Sequence, residues 1–276
     1  MVNDTTSSAR ANADRVSGLY DSISRHYDDW FSQRWPEPAI RHGEALSQIL
    51  RSRGFSEGAR VLDLTCGVGT QALGLASKGF SVVGVDISPQ QIKEARSRAK
   101  NFVTSKTLDL NFMVGDASLI SSVVSSLGPF DAIISFGNSL PLLGSEEAIT
   151  QCLEQCRELL NDNGLFIVSM RDYSVLRANQ PYISASGSLS GRDRSGIWLE
   201  TAEWLPDGRS YVSNIVFIVT SPVKEELHYR FPSVMAMTRN EFIECLNKSD
   251  FAQVTFLPQE ENPAFSFPLF IARRNG

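Results

Sequence analysis

The chain has 276 residues and 42% hydrophobic content, enough for one elaborated domain with a well-packed core, or one domain and a lid. Lys and Arg number 26 against 31 Asp and Glu, and the net charge of −5 supplies no basic footprint for nucleic acid. The polar amino terminus lacks the apolar stretch of a secretory leader, and no run approaches membrane-spanning length, so a soluble, cytoplasmic protein without a membrane partner is expected.

Residues 1–14 are small, polar and free of apolar periodicity, and are expected to form a disordered tail. Over 16–30, Leu19, Ile23, Tyr27 and Trp30 recur at helical spacing, with Tyr20 and His26 alongside. That pattern suits an amphipathic helix on the core or an aromatic cover over a ligand. After Trp35-Pro36-Glu37-Pro38 a second helix is predicted over 39–53, with Ile40, Leu46, Ile49 and Leu50 inward. Arg41, near its start, either grips a carboxylate or is solvated. Residues 15–55 thus read as an N-terminal helical cap.

The stretch VLDLTCGVGT, 61–70, organises the middle of the chain. An apolar strand ends in Asp63, and Gly67 and Gly69 let bare backbone turn tightly against a ligand. A helix over 71–78, capped by Gly79, leads to a strand over 80–85 that delivers Asp86. Strand, glycine turn, helix, strand and acid is the layout by which doubly wound sheets hold an adenosine, the acid accepting both ribose hydroxyls. Ser88 caps and Pro89 opens a helix reaching about 102. A third strand, 108–114, ends in Gly115-Asp116-Ala117, where Asp116 is a helix cap or a partner for an adenine amine.

A continuous apolar strand over 130–136 runs into Gly137-Asn138-Ser139-Leu140-Pro141. A helix over 145–160, closed by Asn161-Asp162-Asn163-Gly164, precedes a fifth strand, 165–170, that delivers Arg171-Asp172-Tyr173. Ligands of open α/β sheets sit outside the carboxyl ends of the strands, where all these polar clusters fall. The planar fork of Arg171 suits a carboxylate, or an ion pair with Asp172 or another acid. Residues 56–173 form the expected core. Residues 174–196, rich in Ser, Gly and Arg, read as a mobile connection or flap. Strands over 197–205 and 211–220 flank Pro206-Asp207-Gly208, and 227–237 adds a third, so 174–237 reads as an antiparallel insertion over an acceptor site. Thr238 caps a helix over 239–248, and strands over 254–257 and 264–272 close 238–276 as a hairpin completing the sheet. Cys66, Cys152, Cys156 and Cys245 show no zinc spacing and the three histidines are scattered, so no metal is expected.

With VVGVDIS, PFDAIISFGNSL and NDNGLFIVSMRDY at their intervals, the chain resembles the class I S-adenosylmethionine-dependent methyltransferases over about residues 16–273. TCGVGTQALGLASKGF, GNSLPLL and SMRDY resemble most the glycine and sarcosine N-methyltransferases. The resemblance implies a doubly wound, mostly parallel seven-stranded sheet with an antiparallel C-terminal hairpin. It implies S-adenosylmethionine as cofactor, with S-adenosylhomocysteine as product. Gly67 and its neighbours, Asp63 and Thr65 in the same motif, would line the methionyl part. Asp86 would hold the ribose, Ile87 the adenine face, Asp116 and Ala117 the adenine edge, and backbone near Phe136 the sulfonium. Tyr20 and Arg41 would help hold the cofactor, Arg41 on its carboxylate. Asn138 and Arg171 would grip a substrate carboxylate. Independently, Tyr27, Trp30, Tyr173 and Trp198 are aromatic candidates for cradling the cationic amine, or are core. Phe231-Pro232 stands where those enzymes carry a tyrosine pair, which puts glycine itself in question.

These expectations describe methyl transfer to the nitrogen of a small amine, an amino acid such as glycine or sarcosine. A second reading keeps the cofactor and methylates oxygen or carbon of a specialised metabolite, which Phe231-Pro232 and the long 174–196 segment favour. A third, a nicotinamide-dependent oxidoreductase on a similar sheet, is opposed by the terminal hairpin and by Asp63 inside the glycine motif.

Overall fold

The computed structural model describes residues 2–24, 35–103, 107–190 and 195–276. Tyr27, Trp30 and His26 therefore lie outside the described residues. The parallel strands β1 (Arg60–Asp63), β2 (Ser81–Asp86), β3 (Leu110–Val114), β4 (Phe130–Ser135) and β5 (Leu160–Ser169) form one sheet. Its side chains alternate between two cores. Leu62, Ile133, Phe166 and Val168 face one; Val61, Ile134, Leu165 and Ile167 face the other. Strands covered on both faces read as unbroken apolar runs, which is why they were legible.

Four more strands form a second, antiparallel sheet: β6 (Ile183–Ser190), β7 (Ser195–Trp204), β8 (Ser210–Ser221) and β9 (Glu225–Met235), in that order. The chain then returns to the first sheet with β10 (Phe251–Leu257) and β11 (Leu269–Arg274), giving the order β10-β11-β5-β4-β1-β2-β3. β11 pairs antiparallel with both β5 and β10. The expected sheet with its terminal hairpin is present.

Helices α1 (Val2–Ile23), α2 (Glu37–Arg51), α3 (Thr70–Ser77) and α4 (Pro89–Asn101) precede α5 (Ile120–Val124), α6 (Glu146–Leu159), α7 (Ser174–Asn179) and α8 (Arg239–Lys248). Ser88, Ser145 and Thr238 each accept an N-terminal amide of the helix they cap, and Thr238 forms a full capping box with Glu241. α2, α3 and α4 cover one face of the sheet, and α6 and α8 the other.

The structure corrects several expectations. Where a disordered tail is expected over 1–14, α1 begins at Val2. A polar helix is held when one stripe finds a core: Leu19 and Ile23 pack with Ile215, Phe217 and Phe231 of the second sheet, and Asn12 donates to the Leu142 carbonyl. Ile40 faces out at 53% exposure, because Ala39, His42, Leu46, Ile49 and Leu50 form the buried stripe of α2. Asn161–Gly164 lies within β5 as an irregularity, its register passing from Phe130↔Leu160 to Ala132↔Leu165, with Asn163 at φ 61°. The 174–196 stretch, expected as a mobile connection or flap, contains α7 and β6. The four cysteines are buried and free.

α2 and α3 meet backbone to backbone. A Cβ at Gly43 would lie 2.5 Å from the Gly74 carbonyl carbon, and one at Gly74 would lie 2.3 Å from the Ala39 oxygen. Gly43→Ala is expected to cost about 1–3 kcal/mol of stability, read as a lower urea midpoint at unchanged m-value. Gly18→Ala, on an exposed turn of α1 with open space around its Cβ, should be neutral or stabilising in the same titration.

Candidate functional site

The carboxyl ends of β1, β2, β4 and β5 open into a cavity of about 440 Å³, with α1 along one side and the inner face of the second sheet across it. That volume falls within the range of about 300–1,000 Å³ usual for small-ligand sites. The floor begins at the glycine turn. Gly67, at φ 52°, donates its N–H to Asp86 Oδ2 at 2.8 Å, and the Ser88 N–H reaches Oδ1 at 2.9 Å. Ser88 Oγ in turn donates to Asp21 Oδ1 at 2.5 Å, tying α1 to the end of β2. Burial pushes the Asp86 carboxyl up to about 6 despite the Ser88 and Gly67 amides, and the Asp21 charge adds to the rise.

Asp63 does not reach the cavity. It is fully buried beneath the turn and outside the cavity lining. Burial, then the nearby Asp86, pushes it up to about 8, and the amides of Ala72 and Thr65 draw it only partway back. Thr65 lines the cavity, its hydroxyl 2.8 Å from Ser135 Oγ. Ile87, Asp116, Ala117 and Phe136 also line it, Asp116 accepting the Ser118 N–H at Oδ1 as a helix cap, its other oxygen without a hydrogen bond among the described residues.

Tyr20 lines the cavity, edge-on to Phe231 with ring centroids 6.1 Å apart. Arg41 does not; its side chain is exposed and α2 turns His42 inward instead. His42 Nδ1 lies 3.0 Å from Gln71 Nε2 and its ring packs 5.1 Å from Phe265. Burial, then the Arg41 charge, lowers its pKa to about 4, so the imidazole is neutral at pH 7.

Asn138 sits at φ 64°, a left-handed position that asparagine tolerates. Its amide serves the protein: Oδ1 accepts the Arg171 N–H at 3.0 Å and Nδ2 donates to the Tyr173 hydroxyl at 2.6 Å. Tyr173 is wholly buried and does not line the cavity; its ring backs the Arg171 guanidinium at 5.7 Å, as does Phe267. Asn138 and Tyr173 therefore position Arg171, which among the described residues is the one cationic side chain lining the cavity. Its acid partner is Glu200, at 3.5 Å. Asp172 instead accepts the Ser174 and Arg239 amides. Burial acts against the Arg171 charge, but Tyr173, Glu200 and Tyr211 around it outweigh that and hold its pKa up.

Glu200, Tyr211, Ser213 and His42 were missed from sequence. Period-two alternation puts Trp198 and Glu200 on one face of β7, and Tyr211, Ser213 and Ile215 on one face of β8, both toward the cavity. A carboxylate between Trp198 and Ala202 on an inward face is the clue that would have found Glu200, and a histidine in the Ala39–Leu46 stripe the clue to His42. Among the described residues no group of three His, Cys, Asp or Glu converges as a metal site.

The two carboxyls contribute a fall in stability with rising pH. Each holds a proton in the folded state at a pH where the unfolded chain, near 3.8, has lost it, so stability falls as pH rises. The Asp86 contribution falls from about pH 4 to about 6 and that of Asp63 continues to about 8. Asp63→Asn is expected to flatten the fall in Tm between pH 6 and 8 and to raise Tm at pH 8, read by calorimetry of the protein without ligand.

The methyltransferase domain family matches residues 55–203, more than half of the chain. The glycine/sarcosine N-methyltransferase of Parasynechococcus marenigrum (strain WH8102) is 28% identical over 165 residues, 56% of this chain and 54% of that one. The glycine N-methyltransferase of Mus musculus is 31% identical over 138 residues, 48% of this chain and 45% of that one. The chain thus spans about half the length of these two relatives. Among solved structures, the S-adenosylmethionine-bound CalS10, an amino pentose methyltransferase from Micromonospora echinaspora involved in calicheamicin biosynthesis, superposes with a TM-score of 0.67 at 17% identity. The superposition covers 85% of this chain and 92% of that one, a likeness of fold. Fold, strand order and family match agree, and the chain belongs to the class I S-adenosylmethionine-dependent methyltransferases.

Proposed function

We propose that the chain transfers a methyl group from S-adenosylmethionine to the nitrogen of a small amine carrying a carboxylate, an amino acid of the glycine or sarcosine kind. The observation that carries this is the Arg171 guanidinium in the cavity wall, braced by Asn138 and Tyr173 with one nitrogen, Nη1, buried and unpartnered among the described residues. The names of the two curated relatives support the same acceptor class.

The residues present fit the cofactor. Asp86 offers a carboxylate whose oxygens each keep a lone pair beyond the Gly67 and Ser88 amides, suited to ribose hydroxyls. Ile87 and Ala117 give apolar contact for a purine, and the spare Asp116 oxygen suits its amine. Thr65 and Gly67 would line the methionyl arm, with Gln71 and neutral His42 in the role expected of Arg41. Tyr20 would close over it from α1, and backbone at Phe136 would approach the sulfur. When bound, S-adenosylmethionine supplies a methyl group on a cationic sulfur with a neutral thioether as leaving group.

The protein's own contribution is alignment and dryness. Arg171 holds the acceptor by its carboxylate, and the amino group must be neutral when it attacks, because a protonated nitrogen has no pair to offer. Apolar walls at Phe136, Ile215 and Phe231 limit water around the methyl group and favour loss of the acceptor's extra proton before transfer. In this scheme residues 15–55 cap the cofactor, 56–173 and 238–276 form the sheet that binds it, and 174–237 cover the acceptor. The nicotinamide alternative gives way to the family match. Methylation of oxygen or carbon stays as a second reading, favoured by Phe231, which brings a ring without a hydroxyl to the cavity wall.

Incubation with methyl-labelled cofactor and a panel of amino acids, simple amines and phenols tests this directly; label in amino acids is expected, and label only in phenols would select the second reading. Asp86→Asn should weaken S-adenosylhomocysteine binding by about 30-fold or more, since hydrogen bonds to a charged acceptor are each worth about 1.5–3 kcal/mol. Arg171→Ala should raise the acceptor KM more than about tenfold for loss of a bidentate, charge-assisted contact, with homocysteine-product affinity changed less than about twofold. An unaltered KM would remove the carboxylate grip.

A further inference from the structure

The acceptor wall holds a second charge. Glu200 is 12% exposed at its side chain and Arg171 23%, and both line the cavity. Their pairing is incomplete. One Arg171 nitrogen, Nη2, meets Glu200 Oε2 at 3.5 Å, the outer limit of a hydrogen bond, and Nη1 meets nothing among the described residues. Ser213 Oγ donates to the other oxygen, Oε1, at 2.9 Å and fixes the carboxylate from behind. Desolvating two charges is costly, and a single long contact does not offset that. What completes such a pair is a ligand that brings an anion to the guanidinium and a cation to the carboxylate.

The surroundings match that charge pattern. Trp198 lies two residues before Glu200 on the same face of β7, its indole seated over Gly187 of β6, where a Cβ would fall 2.5 Å from the indole nitrogen. An aromatic face beside a carboxylate suits an ammonium group. On the guanidinium side, Tyr173 and Phe267 close over Arg171 and hold its plane.

Resting on the amino-acid reading of the acceptor, we infer that Glu200 is a specificity-determining residue: with Arg171 it forms a dipolar seat for a zwitterion, taking the amino group while Arg171 takes the carboxylate. The acceptor docks as an ammonium ion and releases one proton to water before transfer, and the neutral nitrogen keeps N–H groups to donate to Glu200. The N–C bond then forms as the C–S bond breaks, with no bond change at Glu200 itself. Like-charge repulsion from Glu200 disfavours a carboxylate that brings no amine, and an amine without a carboxylate leaves Arg171 half-paired. The seat thus demands both charges at once.

The test uses the full chain, with glycine and sarcosine as acceptors and acetate as the anion without an amine. Glu200→Gln keeps the shape and the Ser213 contact but removes the charge. The acceptor KM is expected to rise about tenfold, the loss of one charge-assisted hydrogen bond. Acetate should inhibit more tightly in the variant, because Arg171 is released from its partner, and S-adenosylhomocysteine affinity should stay within about twofold as a site apart from the seat. Glu200→Asp should restore part of the KM. An unchanged KM, or a parallel loss of acceptor, acetate and S-adenosylhomocysteine binding, would overturn the assignment and leave Glu200 a structural residue. Wild-type protein that methylates simple amines as well as amino acids would overturn it while sparing N-methylation. Wild-type protein that methylates no amine would remove both.

Discussion

The Asp86 carboxylate is held from two directions by backbone amides, one from the turn after β1 and one from the cap of α4. This small arrangement joins three segments distant in sequence: the glycine turn, the end of β2, and α1 through the Ser88–Asp21 contact. A carboxylate so placed is expensive, as its raised pKa and that of Asp63 beneath it record. Parallel strands buried on both faces make the cost bearable. They leave the chain no freedom except at their tips, and the tips are where polar groups collect.

The second sheet solves a different problem. A Rossmann-like core offers a nucleotide floor but little to grip a small acceptor, so selectivity must come from what lies across the cavity. Here that wall is one face of β7, β8 and β9, carrying Trp198, Glu200, Tyr211, Ser213 and Phe231. Pro232 cannot donate to a ladder and is tolerated because β9 is an edge strand, with an irregular register between Val212 and Asn214. Side chains from three adjacent strands present themselves at fixed spacing, which a flexible loop could not achieve. Arg171 reaches this wall from the tip of β5, so the floor and the far side share one charge pair.

Most of the sheet was legible because its rules are local. Apolar runs over 61–63, 80–85, 130–136 and 165–170 announce buried strands, and Ser88-Pro89 and Thr238 announce helix starts. The misses came where long-range packing overrides local pattern. α1 is helical back to Val2 although its sequence is polar, because the second sheet supplies an apolar partner for Leu19 and Ile23. Asn161–Gly164 has turn chemistry, yet the strand already begins before it, at Leu160, and carries the turn residues within it. In the site, the residues at strand tips were foreseeable from topology, whereas Glu200 and His42 depend on which face of an element turns inward. Arg41 and His42 are adjacent in sequence and opposite in fate, since one helical step of about 100° separates solvent from cavity.

The glycine contact between α2 and α3 carries an implication for how such a molecule can change over generations. With two backbones touching and no side chain between them, neither helix can shift without breaking the other's packing, so the wall bearing His42 and Gln71 is frozen in shape. The opposing wall rests on hairpins whose alternate residues can be exchanged one at a time without moving a backbone. Novelty in what the pocket accepts is thereby channelled to one side of it, while the other keeps its dimensions.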